Sequence, residues 1–170
     1  MPAPLRTALF GGSFNPIHEG HLALADFVLK QGLADEVWFV VSPLNPLKPT
    51  VDPADAFERL EGVLEALKNH PGCFASDIEF SLPLPSYSVQ TLRLAVSKYP
   101  SRQFLLLIGG DNLDVFTQWK DYQYLLDNFD ILVYPRPGAI NQVPAGWNRV
   151  QMLHAPLMDI SSTEIRNRRQ

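Results

Sequence analysis

The run Phe104–Ile108 is apolar at every position, and no other segment constrains the fold of this chain as strongly. A strand without a polar face must be covered on both sides, which is typical of the centre of a parallel sheet. Elsewhere, short apolar runs alternate with helical patterns, and this order predicts βα units. We therefore expect an α/β fold, a Rossmann-like, doubly wound, mostly parallel sheet of five to six strands with helices on both faces.

Turn signals between the apolar runs set approximate bounds for these elements. Strands are predicted near Thr7–Phe10, Glu36–Val41, Ala75–Phe80, Phe104–Ile108, Ile131–Tyr134 and Val150–Leu153. Helices are predicted over Gly20–Gln31, Pro53–Asn69, Ser88–Lys98 and Gln118–Asp127, with a last short helix from Ser162. No repeat, low-complexity tract or linker divides the chain, so we expect a single domain over residues 1–170. The loops after the first, second and fourth strands should share one edge of the sheet, where ligands bind in such folds.

Composition narrows the classes of partner. A chain of 170 residues, of which 46% are apolar, is long enough to bury one hydrophobic core. Its net charge is −4, so it lacks the broad basic surface that is typical of nucleic-acid-binding proteins. No apolar run approaches membrane-spanning length. The charge therefore argues against nucleic acid as a partner, and the short apolar runs argue against a membrane. The single cysteine, Cys73, allows no internal disulfide and is compatible with a reducing cytoplasm, where we expect the protein. The sequence leaves open whether copies form a homo-oligomer.

Residues 10–21 read Phe-Gly-Gly-Ser-Phe-Asn-Pro-Ile-His-Glu-Gly-His and carry most of the functional signal. The pair Gly11 and Gly12 leaves room for a large ligand to approach the backbone. Pro16 suits the first position of a helix, and the spacing of His18 and His21 puts both imidazoles on one helix face. That end of a helix attracts anions. The segment therefore predicts a site for a phosphate that undergoes chemistry.

Two other interpretations of the histidine pair remain. Zinc would need a third and usually a fourth protein ligand, and the other candidates, His70, His154 and Cys73, lie far along the chain. The two residues could also be ordinary histidines on a helix surface. Two of the four histidines of the chain fall in this one turn, which argues against that interpretation.

The segment Gly11–His21 resembles the first signature of the nucleotidyltransferase superfamily related to class I aminoacyl-tRNA synthetases. Its Gly-Ser-Phe-Asn-Pro form is most similar to the nicotinate or nicotinamide mononucleotide adenylyltransferases. Near the C-terminus, Ile160–Arg166 reads Ile-Ser-Ser-Thr-Glu-Ile-Arg and matches the second signature of that family. The resemblance implies adenylyl transfer from ATP to nicotinate mononucleotide, which gives nicotinate adenine dinucleotide and pyrophosphate in NAD biosynthesis.

The resemblance also implies roles for individual residues. His18, His21 and Arg166 are expected to be catalytic, the histidines at the α-phosphate of ATP and the arginine at the leaving pyrophosphate. The residues expected to bind ATP are Gly11, Gly12, Ser13, Phe14, Lys48, Gly109, Asp111, Ser161, Ser162 and Thr163. Those expected to bind the pyridine mononucleotide are Asn15, Tyr87, Ser88 and Trp119, the last by stacking on the pyridine ring. Mg²⁺ should arrive with ATP, because the sequence offers no dedicated cluster of carboxylates for it. Arg59 and Glu79 match further positions of the family pattern, and we assign them structural roles.

Several of these residues have plainer explanations. Ser161 and Glu164 fit a capping box, Asp111 could cap a helix, and Lys48 could be a solvated loop residue. Trp119 could belong to the core, as most tryptophans do. The chain also departs from the family pattern, with Ser88 for threonine, Gln90 for aspartate and Gly110 for alanine. Only four residues follow Arg166, so we expect the usual C-terminal segment of the family to be missing.

Other functions stay open. The acceptor could be nicotinamide mononucleotide or another phosphorylated compound such as phosphopantetheine. The relatives that act on phosphopantetheine typically carry threonine where this chain has His18. A non-catalytic nucleotide-binding homologue is a different class, but it would have no need of His18, His21 and Arg166 together.

Overall fold

A computed structural model of the chain describes residues 3–44 and 52–155. Within them, six strands form one sheet whose neighbours are all parallel. The strands are β1 (Arg6–Gly12), β2 (Glu36–Val41), β3 (Cys73–Ser76), β4 (Gln103–Gly109), β5 (Asp130–Tyr134) and β6 (Val150–Met152). Their order is β3-β2-β1-β4-β5-β6, so the strand order reverses between β1 and β4. The predicted fold class is confirmed.

Helices cover both faces of this sheet. They are α1 (Glu19–Lys30), α2 (Ala56–Ala66), α3 (Ser88–Lys98), α4 (Gly110–Asp114) and α5 (Tyr122–Asn128), with 3₁₀ turns at Pro53–Asp55, Ile78–Ser81 and Phe116–Gln118. On one face, Val28 of α1 and Val63 of α2 pack with the sheet, and on the other Leu92 of α3 and Leu125 of α5 do so. All four side chains are fully buried.

The apolar run Phe104–Ile108 is the central part of β4. Because successive side chains of a strand point to opposite faces, Leu105 and Leu107 enter one core cluster and Leu106 and Ile108 the other. Neither face reaches solvent, which explains why the run has no polar position. The prediction of a central, doubly covered strand is confirmed.

Some element bounds differ from those predicted. The third strand ends at Ser76, because the chain then turns into the 3₁₀ segment Ile78–Ser81, and the Ser76 hydroxyl caps this turn by accepting from the backbone N–H of Ile78 at 3.2 Å. The first strand runs on to Gly12, since Gly11 and Gly12 pair with the end of β2. The helix predicted from Ser162 lies outside the described residues.

The helix predicted from Gln118 begins only at Tyr122. The 3₁₀ turn Phe116–Gln118 comes first, and Asp121 then adopts a left-handed backbone conformation with φ 52° just before α5. Trp119 and Lys120 therefore lie in a connection between two helical segments rather than inside a helix.

Candidate active site

A cleft opens at the carboxyl edge of the sheet, where the strand order reverses. Parallel sheets bind ligands at this place because the loops on either side diverge there. The cleft is lined by Phe10, Gly11, Gly12, Ser42, Glu79, Ser86, Tyr87, Ser88, Leu106, Leu107, Ile108, Asn112, Gln118, Trp119, Lys120 and Tyr134. It therefore brings together residues that follow or end β1, β2 and β4, as the topology predicts.

The two glycines at the end of β1 have different reasons to be glycine. A Cβ on Gly11 would meet nothing within 4 Å, so this residue leaves open space in the cleft. A Cβ on Gly12 would meet the ring of Phe14 at 3.2 Å. Phe14 has a left-handed φ of 49° and is buried in the core. Gly12 thus makes room for a protein side chain, and any contact of Phe14 with ATP is left to its backbone.

The histidines begin helix α1. His18 is the residue before the helix, and its Nδ1 accepts a hydrogen bond from the backbone N–H of Gly20 at 3.1 Å. His21 lies three residues later, and its Nδ1 accepts from the backbone N–H of His18 at 3.1 Å. This reciprocal pair is a capping box made of imidazoles. The prediction that Pro16 occupies the first helical position is wrong, because the chain makes a turn at Pro16 and the helix starts at Glu19.

These two hydrogen bonds determine which nitrogen of each imidazole carries the proton. An Nδ1 atom that accepts a hydrogen bond carries no proton, so the neutral ring holds its proton on Nε2. The rings stack with centroids 3.7 Å apart, and His21 also packs edge-on against Phe14 at 5.1 Å. Burial lowers the pKa of His18, and the nearby positive charge of Arg136 lowers it further. The pair therefore offers hydrogen-bond donors at the positive end of a helix dipole.

Sequence reasoning missed Arg136, which follows β5 at the same edge. The side chain of Asn141 holds its backbone at two points: Oδ1 accepts from the N–H of Arg136 at 2.9 Å, and Nδ2 donates to its carbonyl at 2.9 Å. A Cβ on Gly110 would collide with this Asn141 side chain, which gives a physical reason for the glycine at that position. The rule that loops after parallel strands share one edge could have identified Arg136, had it been applied to the fifth strand.

Gly109 and Asp111 lie at the end of β4. Gly109 is the last residue of the strand, and Asp111 is the second residue of α4 with an exposed side chain. The residue that precedes α4 is Gly109, and no side chain caps this helix, so Asp111 does not have the capping role considered for it.

Tyr134, at the end of β5, also lines the cleft. Burial raises the pKa of Tyr134 to about 12, and the charge of Asp111 adds to this rise.

A second group of lining residues comes from the start of α3 and from the connection before α5. Tyr87 precedes α3, Ser88 is its first residue, and both line the cleft with Trp119. The Trp119 ring packs against the buried ring of Phe116 with centroids 4.8 Å apart. Trp119 therefore contacts the core and faces the cleft, so the two roles considered for it do not exclude each other. Asn15 is half-buried and is not among the residues that line the cleft.

Arg59 connects the loops that frame the cleft. Its guanidinium is buried and donates to the carbonyls of Ser13 and Ser42 at 2.8 Å and of Pro43 at 3.1 Å. The segment after β1 is thereby tied to the segment after β2. The hydroxyl of Ser13, a predicted ATP contact, is buried and finds no partner in the described part of the chain. These contacts support the structural role assigned to Arg59.

Glu79 is a buried carboxylate in the wall of the cleft. It accepts a hydrogen bond from the Thr91 hydroxyl at 2.6 Å. Burial raises its pKa, and nearby hydroxyls, including that of Ser42, reduce this rise. Because Glu79 joins the 3₁₀ turn Ile78–Ser81 to α3, its contacts also support a structural role.

Five of the predicted site residues lie outside the described residues: Lys48, Ser161, Ser162, Thr163 and Arg166. Across residues 3–44 and 52–155, no three His, Cys, Asp or Glu side chains come close enough to hold a metal ion. In the same ranges, no helix has both the length and the apolar character needed to cross a membrane.

Comparisons with known proteins agree with this architecture. A family model described as cytidylyltransferase-like matches residues 9–168. The chain is 47% identical over 163 residues to a Cytophaga hutchinsonii protein named "Probable nicotinate-nucleotide adenylyltransferase", with 96% of this chain and 85% of that protein covered. A Bacteroides thetaiotaomicron protein of the same name is 44% identical over 162 residues, with 95% and 80% covered. The structure of Plasmodium falciparum nicotinic acid mononucleotide adenylyltransferase complexed with NaAD shares the fold, with a TM-score of 0.78, 18% identity, and 96% and 83% of the two chains covered.

Proposed function

The chain belongs to the cytidylyltransferase-like family and, within it, to the nicotinate-nucleotide adenylyltransferases, and from this membership we propose the reaction and the residues that carry it. The protein transfers the adenylyl group of ATP to nicotinate mononucleotide and releases pyrophosphate. One observation supports this function above the others. The stacked pair His18 and His21 starts α1 a few residues after Gly11 and Gly12, the end of β1 that lines the cleft, and each ring's proton is held on Nε2.

The reaction needs positioning more than it needs a base. An oxygen of the mononucleotide phosphate attacks the α-phosphorus of ATP, and the bond from that phosphorus to the oxygen bridging the α- and β-phosphates breaks. The attacking phosphate is already ionised near neutral pH, so no group has to remove a proton from it. What remains for the protein is to align the reactants and to stabilise the charge that develops on the phosphoryl oxygens.

The histidines and Arg136 supply that stabilisation. His18 and His21 donate from Nε2 to the non-bridging oxygens of the α-phosphate, at the positive end of α1. Arg136 adds a positive charge close enough to lower the pKa of His18 in the free protein. A bound phosphate is negatively charged, opposite to Arg136, so it raises the pKa of His18 again.

Residues of the second signature hold the leaving pyrophosphate in this proposal. Ser161, Ser162 and Thr163 offer hydroxyl and backbone donors, and Arg166 pairs with the phosphates, as Lys48 does from the loop after β2. The substrate is ATP with Mg²⁺, and the metal ion neutralises part of the phosphate charge. The adenosine part lies along Gly11 and the end of β4, where Gly109 and Asp111 face the ribose.

Pyrophosphate release tests this function. Purified protein is incubated with ATP, Mg²⁺ and, in separate reactions, nicotinate mononucleotide, nicotinamide mononucleotide or phosphopantetheine. We expect pyrophosphate to form fastest with nicotinate mononucleotide and not to form without an acceptor. ATP binding measured by calorimetry, combined with no pyrophosphate from any of the three acceptors, would instead identify a non-catalytic nucleotide-binding protein.

Trp119→Ala is expected to raise KM for the mononucleotide about tenfold or more while leaving KM for ATP nearly unchanged. Stacking of a ring on an aromatic side chain contributes about 1–3 kcal/mol in nucleic-acid sites, and the acceptor alone uses this wall of the cleft. Steady-state kinetics with each substrate varied in turn measures both constants. Trp119→Phe is the matched control and should keep most of the affinity. A lower melting temperature with unchanged kinetics would assign Trp119 to the core only.

A further inference from the structure

Glu79 is a buried carboxylate in the lining of the cleft, and the proposed reaction gives it no part. The residue is 7% exposed and lies in the 3₁₀ turn Ile78–Ser81, which follows β3. Among the described residues that line the cleft, it is the one carboxylate. An ionisable group is costly to bury unless hydrogen bonds compensate it, so the partners of Glu79 indicate why it is held there.

One partner of Glu79 belongs to helix α3. The Oε2 atom of Glu79 accepts a hydrogen bond from the hydroxyl of Thr91 at 2.6 Å, and Thr91 is itself 3% exposed. The same hydroxyl lies 3.2 Å from the carbonyl oxygen of Tyr87, the residue that precedes the helix. Tyr87 and Ser88 line the cleft. Glu79 therefore holds the start of α3 at the place where this helix reaches the cleft.

A second partner of Glu79 leads to the end of β1. Burial raises the pKa of Glu79, and hydrogen bonds from hydroxyls, that of Ser42 among them, oppose this rise. The backbone N–H of Ser42 donates to the carbonyl of Gly12 at 2.9 Å. The carbonyl of Ser42 accepts from Arg59 at 2.8 Å, and the same arginine donates to the carbonyl of Ser13 at 2.8 Å. Ser42 thus connects Glu79 to the backbone that leads to α1.

One carboxylate therefore joins two parts of the cleft lining that are far apart in the chain. The first is the end of β1, which leads to the histidine pair, and the second is the start of α3. A reaction between two bound substrates depends on how accurately the protein holds them against each other. A displacement of about 1 Å can lower the rate about a hundredfold, even when its cause lies away from the reacting atoms.

We propose that Glu79 is a positioning residue of the adenylyl transfer, which sets the place of the start of α3 relative to the end of β1 and so aligns the two substrates. The inference rests on the proposed function. It adds an effect on turnover to the structural role that the contacts of Glu79 already support, and it requires no contact between Glu79 and the reacting atoms.

Glu79→Gln tests this role, because glutamine keeps the shape of the side chain but changes its charge and its hydrogen bonds. We expect kcat to fall about 10- to 100-fold. The Kd of ATP and that of nicotinate mononucleotide, each measured alone by calorimetry, should change by less than about twofold, since each part of the lining keeps its own contacts. Single-turnover formation of pyrophosphate measures the loss in the chemical step.

Thr91→Val removes the hydroxyl that Glu79 accepts from, and Thr91 is buried and is not among the residues that line the cleft. If Glu79 acts by positioning, this variant should also lose kcat and keep both dissociation constants. The two changes remove the same interaction, so the double variant should lose less than the product of the two single losses.

Glu36→Gln is the matched control. Glu36 is likewise buried and accepts from the hydroxyl of Thr7 at 2.7 Å and from Arg102 at 2.8 Å. It is the first residue of β2, at the edge of the sheet away from the cleft. This variant should lower the melting temperature, because a charge-assisted hydrogen bond is weakened, and leave kcat unchanged.

The outcomes separate this inference from the function on which it rests. If the unmodified protein forms no pyrophosphate from ATP and nicotinate mononucleotide, the proposed function fails. Normal kcat in Glu79→Gln leaves the function standing and overturns the positioning role. Weaker binding of one substrate with kcat unchanged also overturns it, because Glu79 would then contact that substrate directly. If Glu79→Gln does not fold, Thr91→Val decides, and normal kcat in that variant overturns the inference.

Discussion

Replacing either His18 or His21 with alanine is expected to lower kcat by about 10²–10³-fold while the Kd for ATP changes little. The reason is that both rings donate from Nε2 to oxygens whose negative charge grows only as the α-phosphorus is attacked. An interaction that strengthens in the transition state appears in kcat rather than in ground-state binding. Single-turnover formation of pyrophosphate, with ATP binding followed by calorimetry, measures the two effects separately.

Capping must be separated from catalysis in this experiment, because His18 also starts α1. His18→Asn supplies a side chain that caps helices well but has no imidazole, so it should preserve the melting temperature and still lose turnover. His70→Ala is the control for removing a histidine elsewhere, since His70 contacts Asp26 at 3.4 Å in a surface pair. Near-normal turnover in His18→Asn would contradict a catalytic role for that ring.

Arg59→Ala is expected to lower the free energy of unfolding by about 3–5 kcal/mol. The buried guanidinium donates to three backbone carbonyls from two loops, and alanine would leave these acceptors without partners. Each buried polar group that loses its hydrogen bond costs about 1–3 kcal/mol, and entry of water reduces the sum. Urea denaturation followed by circular dichroism measures the change.

The matched control for Arg59 is an arginine paired at the surface. Arg149 contacts Asp130 at 3.0 Å with both side chains 42% exposed, so Arg149→Ala should cost no more than about 1 kcal/mol. An Arg59→Ala protein of normal stability that has lost affinity for ATP would show that Arg59 binds substrate, against the structural role that its hydrogen bonds support.

Local patterns were enough to predict the class of fold and its ligand-binding edge. Phe104–Ile108 indicated a central strand because a run without polar positions fits only where both faces are covered. The spacing of His18 and His21 indicated that the two rings lie together, although His18 precedes the helix instead of lying on its face, and Ser88–Lys98 was predicted with the bounds that the structure has. Each of these signals depends on neighbours within a few residues, which a sequence displays directly.

Tertiary structure alone decided the points that depend on residues far apart in the chain. Gly110 is glycine because the side chain of Asn141 approaches it from a loop some thirty residues later. Likewise, the charge of Arg136 lowers the pKa of His18 only because the loop after β5 is brought to the same edge of the sheet as the loop after β1. The sequence by itself determined the sheet, the helices and the histidine pair, since periodicity and turn residues are local. Burial, charge and close approach depend on which distant segments meet, so the environment of that pair was settled only by folding.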